Sequence, residues 1–207
     1  MGRALATVAV KLGHDVMVSN SGGPDTLFSL VGTLGVKLGT VEEAAAFGNI
    51  VVVAIPSRAY RSLSADLLAG KVVVDANNYY PQRDGHIAEL DSQETTTSQL
   101  LADHLMQSKV VKAFNAIVAR DIETDGRPSG SADRRAHPIA GDDAAAKAVI
   151  AGLVEQIGFD VVDVGPLSEG WRFQANTPAY CVRLDAAGLR KALAAAQSSL
   201  AKLAGCK

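Results

Sequence analysis

The sequence predicts an α/β fold: an open, doubly wound, mostly parallel sheet with a C-terminal helical extension. Three observations predict it. Short apolar runs without polar alternation recur along the chain, which is the habit of strands covered on both faces. Helix-like segments separate these runs, as crossovers between parallel strands require. Hydrophobic residues make up 48 % of the 207 and charged residues 20 %. That composition is too apolar for a disordered chain, and a chain of this length buries roughly 70 % of its unfolded surface.

The elements follow in order. Gly2 to Leu12 reads as a helix, because Gly13 stands just past its end. Val16-Met17-Val18 is a short strand closed by Ser19-Asn20-Ser21-Gly22-Gly23-Pro24, and Val36-Lys37-Leu38 is a weaker one. Thr40 to Phe47 is a helix with a capping box, Thr40 being followed three residues on by Glu43, and Gly48 stops it. Ile50 to Ile55 is a β-branched strand stopped by Pro56, expected in one sheet with the Val16 segment. Ser57 to Ala69 reads as one helix ending at Gly70. Val72-Val73-Val74 ends at Asp75-Ala76-Asn77-Asn78, and Asn77 to Gln93 is a polar loop. Thr96 to Met106 is helical, and Val110 to Phe114 is a strand stopped by Asn115. Asp125 to Arg135 is the best candidate for a flexible surface excursion. His137 to Ala140, a helix from Asp142 to Ile157, and Phe159 to Val164 complete the alternation.

The tail from Asp185 to Leu203 is helical by propensity. Leu189, Leu193, Ala196, Leu200 and Leu203 form one apolar face. It reads first as packing on its own domain; a subunit interface in a homodimer is the other reading. Residues 1–120 are expected to form the main domain and residues 121–207 a smaller α/β part with the terminal helix.

Twenty Lys and Arg against 22 Asp and Glu leave a net charge of −2, which gives no electrostatic reason for a nucleic-acid partner. Cys181 and Cys206 make neither a disulfide framework nor a zinc spacing, so a reduced, cytoplasmic setting is expected. The longest apolar stretch, Ile50 to Pro56, falls far short of the roughly 20 residues that span a membrane. No leader peptide is read at the N-terminus.

In an open parallel sheet, ligands bind outside the carboxyl ends of the strands. Here those ends carry Ser19-Asn20-Ser21, Pro56-Ser57-Arg58, Asn77-Asn78 and Asn115. Each alone is a good turn former. Together they read as a polar rim for a long ligand. Gly2 opens the first helix, where the last glycine of a G-x-G-x-x-G phosphate turn lets helix and strand pack closely. His14, His86, His104 and His137 read as surface or packing histidines, because none stands beside a nucleophile or a carboxylate pair. Trp171-Arg172-Phe173 reads as a packed anchor, with a cap over the cleft as the alternative.

Six stretches resemble the NADP oxidoreductase, coenzyme F-420-dependent family: Gly2-Arg3-Ala4-Leu5-Ala6, Ser19-Asn20-Ser21, Val53-Ala54-Ile55-Pro56, Val74 to Asn78, Val111 to Ala116 and Ala140-Gly141-Asp142-Asp143. The likeness runs on through Gly158-Phe159-Asp160 and Val164 to Leu167. It implies a Rossmann fold and hydride transfer between NADP(H) and a second redox cofactor or small molecule, a deazaflavin or flavin among the candidates. It also implies that Ala54, Ile55 and Pro56 line the ribose and nicotinamide, and that Asn77, Asn115 and Ala116 lie near the reacting rings. No catalytic acid is named, because hydride transfer between bound rings needs positioning first. Family members begin with a strand and two further glycines, of which only Gly2 has a counterpart here. A native start upstream of Met1 is therefore expected, with weak dinucleotide affinity and two exposed strand flanks as its consequences. Ser19, Asn20 and Ser21 place no carboxylate against a 2′-phosphate, so NADP is expected over NAD. The family often carries an Arg next, where this chain has Gly22. The rival readings are a dinucleotide sensor without turnover and an inactive fragment.

Overall fold

A computed structural model describes residues 1–197. In chain order, α1 (Gly2–Lys11) leads to β1 (Met17–Val18), a 3₁₀ turn (Pro24–Leu27), α2 (Ser29–Leu34), β2 (Lys37–Leu38) and α3 (Val41–Phe47). Next come β3 (Ile50–Val53), a 3₁₀ helix (Ser57–Ser62), α4 (Ala65–Leu68) and β4 (Val72–Asp75). Three short helices, α5 (Pro81–Asp84), α6 (Ala88–Asp91) and α7 (Thr97–His104), precede β5 (Lys109–Lys112). Then follow α8 (Ala119–Thr124), β6 (Ala136–Gly141), α9 (Ala144–Ile157), β7 (Asp160–Asp163), a 3₁₀ helix (Leu167–Phe173) and α10 (Ala186–Ala195).

The main sheet has the order β3-β4-β5-β6-β7. β3, β4 and β5 run parallel, β6 runs antiparallel to β5, and β7 is parallel to β6. The fold is Rossmann-like, and the sheet continues across residue 120. The unbroken apolar runs have a direct cause. Val74 and Val111 face a layer holding Leu5 and Val8 of α1 and Ile150 and Val154 of α9. Their neighbours Val73 and Val110 face the opposite layer, with Leu68, Leu101 and Leu105. Both faces are covered, so both sets of side chains are apolar.

One expectation fails. The Val16 and Ile50 segments do not share a sheet: β1 pairs with β2 in a separate two-stranded sheet, and β3 pairs with β4. A sheet is continuous only where ladder bonds pass between strands about 4.8 Å apart. No described strand bridges β1 and β3.

Three segments differ from their sequence reading. Ser57 to Ala69 is a 3₁₀ helix and a short α-helix, broken where Leu63 is extended. Asn77 to Gln93 contains α5 and α6. Asp125 to Arg135 is pinned at both ends rather than free. Arg134, 6 % exposed, reaches Asp160, Glu155 O and Gly158 O, and Arg135, 2 % exposed, reaches Asp121 and Asp125. The local signals hold. Thr40 and Glu43 form the capping box, and α9 runs from the Asp143 cap to Gly158 at φ +109°. Leu189, Leu193 and Ala196 are buried. Leu200, Leu203 and Cys206 lie outside the described residues.

Candidate functional site

Parallel β3, β4 and β5 deliver their carboxyl ends to one edge, and side-chain amides tie those ends together. Asn77 Oδ1 accepts the Ile55 N–H at 2.8 Å, which joins the turn after β4 to the turn after β3. Asn78 donates to Asn115 O at 2.8 Å, while Asn115 Nδ2 donates back to Asn78 Oδ1 at 3.1 Å. Ser57 donates to Asn78 O. Three turns from distant parts of the chain thus form one rigid rim.

Beneath the rim lies a buried ionic cluster. The register places Asp75 opposite Lys112, and neither side chain is exposed. Ser98 Oγ donates to Asp75 Oδ2 at 2.5 Å and accepts from Lys112 Nζ at 2.9 Å. The other Asp75 oxygen accepts the Asn77 N–H at 3.0 Å. Burial pushes the Lys112 ammonium below its ordinary value, opposed by the Asp75 charge. The cluster therefore holds the residue that holds Ile55.

Asn115 is 1 % exposed, and its Nδ2 also donates to Phe173 O at 2.9 Å. That carbonyl can only accept, so the orientation of the amide is fixed. Its Oδ1 is buried without a hydrogen-bond partner. An unpaired buried acceptor costs about 1–3 kcal/mol, which a donor that reached it would recover. The turn before it is held by His137, whose Nε2 accepts the Phe114 N–H at 2.6 Å. Burial, and then the Arg135 charge, push His137 down to about 3, so it is neutral and free to accept.

The predicted residues divide into two groups. Ala54, Ile55, Pro56, Asn77, Asn115 and Ala116 gather at the strand ends. Gly2 lies beside them: a Cβ there would stand 3.8 Å from Ala54 Cβ, so ordinary contact and not crowding surrounds it. Ser19, Asn20 and Ser21 sit apart, after β1. Asn20 Oδ1 closes its own turn by accepting from Gly22 N and Thr26 Oγ1. Ser21 is exposed and Ser19 half-buried. A narrow hollow at the rim is lined by Ser57, Tyr60, Asn77 and Thr97. A wider one, by Arg127 and Arg134, lies away from it, and the Arg134 guanidinium there is committed to protein carbonyls and Asp160. Phe173 is fully buried, as a packed anchor is.

Sequence reasoning missed Asp75, Ser98, Lys112 and the tie made by Asn78. One signal was available: Val72-Val73-Val74-Asp75 and Val110-Val111-Lys112 each place a charge inside an otherwise apolar strand.

Comparison with known proteins bears on the chain's family and fold. Residues 1–79 match the NADP oxidoreductase, coenzyme F420-dependent family. Two curated proteins are similar to parts of this chain. Rat metalloreductase STEAP3 is 31 % identical over 175 residues, which is 84 % of this chain and 33 % of that protein. Escherichia coli K12 YjhV is 45 % identical over 65 residues, 31 % of this chain and 47 % of that one. The chain thus spans less than half the length of each. Among solved structures, Sinorhizobium meliloti SMa0349 shares the fold with a TM-score of 0.74 at 26 % identity, covering 88 % of this chain and 89 % of that one. A proposed F420-dependent NADP reductase of Arthrobacter gives a TM-score of 0.71 at 27 % identity, over 82 % of each chain. No helix among the described residues is long and apolar enough to cross a membrane.

Proposed function

We propose that the chain is an NADP-dependent oxidoreductase that binds NADP(H) along the ends of β3, β4 and β5. The observation that carries this reading is the buried, unpaired Oδ1 of Asn115 beside a rim of amides, in a chain whose first 79 residues match an NADP-linked family. A nicotinamide carboxamide carries the N–H donor that this oxygen lacks. Ala54, Ile55 and Pro56 would line the ribose and nicotinamide, Asn77 and Ala116 the ring, and Ser19, Asn20 and Ser21 the 2′-phosphate. The bound nucleotide supplies or receives hydride; the protein positions it and shields it from water. The family description and the Arthrobacter neighbour support a deazaflavin of the F420 type as the second redox partner, with a flavin next.

Calorimetric titration with NADPH and NADH, followed by NADPH oxidation with deazaflavin and flavin acceptors, tests the reading. Tighter NADPH binding with turnover supports it. Tight binding without turnover would instead mark a dinucleotide sensor.

A further inference from the structure

We propose that the Tyr80 hydroxyl is the proton donor of this site, backed by Tyr180, for an acceptor with a polarised C=N or C=O bond. The inference rests on the NADP(H) reading above. The two phenol oxygens are hydrogen-bonded to each other across 100 residues of chain. Both are carried on segments fixed to the strand ends. Tyr80 follows two residues after Asn78, which is tied to Asn115, and the Tyr80 N–H is held by Asp84 at 3.0 Å. Tyr180 precedes Cys181, whose N–H reaches Ala116 O at 3.1 Å. The pair therefore stands beside Asn115 and Ala116, and both side chains are half-buried.

Two phenols hold two hydroxyl protons, and their mutual bond uses one. The other is free to be given away. Either oxygen can donate in the mutual bond; burial, and then the bond to Tyr80, push the Tyr180 hydroxyl up, so Tyr180 is the member that holds its proton. The Arg83 guanidinium lies 5.0 Å from the centre of the Tyr80 ring and is paired with Asp84, the same carboxylate that holds the Tyr80 N–H, so this arginine and carboxylate fix the ring in place. Tyr80 is thus the member that gives. In the step, the acceptor carbon takes hydride from the reduced nicotinamide, and the π pair moves to the heteroatom. The heteroatom takes the proton as the Tyr80 O–H bond breaks, and solvent reprotonates Tyr80. NADPH, one proton and C=X become NADP⁺ and HC–XH, which balances.

Tyr80→Phe and Tyr180→Phe separate this role from a clasp, because both delete the same hydrogen bond. Melting temperature, NADP⁺ affinity and turnover with NADPH against a deazaflavin, a flavin and a cyclic imine are measured for each. The expected result is an equal drop in melting temperature and unchanged NADP⁺ affinity. Turnover should fall about 100-fold in Tyr80→Phe, as loss of a general acid does, and about tenfold in Tyr180→Phe. Equal turnover losses, retained turnover in Tyr80→Phe, or no wild-type turnover with any of the three acceptors overturns proton donation alone. Failure of the wild type to bind NADP⁺ overturns the NADP(H) reading and this inference with it.

Discussion

His137 Nε2 accepts the backbone N–H of Phe114 at 2.6 Å, and this bond holds a left-handed turn at φ +61° one residue before Asn115. A phenylalanine in that region is strained, since its Cβ crowds the carbonyl. The ring of His137 also stacks on Phe114, with centroids 4.9 Å apart. A histidine on β6 therefore shapes the turn after β5 that carries the candidate ligand acceptor.

That relationship makes stability depend on pH. His137 titrates at about 3 in the folded protein against an ordinary 6.5. Between those values the unfolded chain binds the extra proton, so stability rises with pH across the window. The contribution is complete above about 6.5 and is lost as pH falls toward 3. Urea unfolding at a series of pH values should show a slope over this range that His137→Gln flattens. An unchanged slope in that variant would contradict the assignment.

The buried ionic cluster should be sensitive to the loss of one partner. Lys112→Met leaves Asp75 as an uncompensated buried charge, and breaking such a pair costs about 3–5 kcal/mol. Ser98→Ala removes one hydrogen bond from each partner, and about 1–3 kcal/mol is expected. Gly170→Ala acts on the same side chain from outside, because a Cβ there would lie 2.7 Å from Lys112 Cδ. A similar loss of about 1–3 kcal/mol follows from overpacking. Denaturant midpoints rank the three, and Lys112→Met should be the least stable.

These two clusters mark the boundary of what the sequence discloses. Thr40, Glu43 and Gly48 announce their helix because capping is local. The polar residues after β3, β4 and β5 are equally legible, since strand ends and turn formers are adjacent in the chain. Pairing is not. Asp75 meets Lys112, and His137 meets Phe114, only through the parallel register of β4 with β5 and the antiparallel run of β6. His137 is a packing histidine as read, yet its acceptor role depends on a strand direction that no local pattern encodes. The separate sheets of β1 and β3 escaped the sequence reading for a related reason: an apolar run shows that a strand forms and leaves its neighbours unspecified.

Asn115→Ala should weaken both binding and folding. The change removes two donated bonds, to Asn78 Oδ1 and Phe173 O, and it also removes the unpaired Oδ1. Loss of the orphaned acceptor offsets part of the folding cost. Loss of a ligand hydrogen bond of about 1.4 kcal/mol weakens NADPH about tenfold. Parallel measurement of unfolding free energy and NADPH dissociation constant separates the two losses. A stability loss with unchanged affinity would remove Asn115 from the site.

Cofactor choice should turn on Ser19 and Ser21. Ser21 is exposed and Ser19 half-buried after β1, while Asn20 is occupied in its own turn. No carboxylate stands there to repel a 2′-phosphate. Installing one, as Ser21→Asp, sets a negative charge near the dianionic phosphate of NADPH and offers a hydrogen-bond acceptor to the ribose hydroxyls of NADH. Like-charge juxtaposition costs several kcal/mol when buried and far less at an exposed position, where salt screens it. Ser21 is exposed, so a loss of NADPH affinity of about tenfold is expected, with NADH affinity equal or better. Raising the ionic strength should narrow the gap between wild type and variant, because the added term is Coulombic. A variant that keeps the wild-type NADPH preference at low salt would place the 2′-phosphate elsewhere.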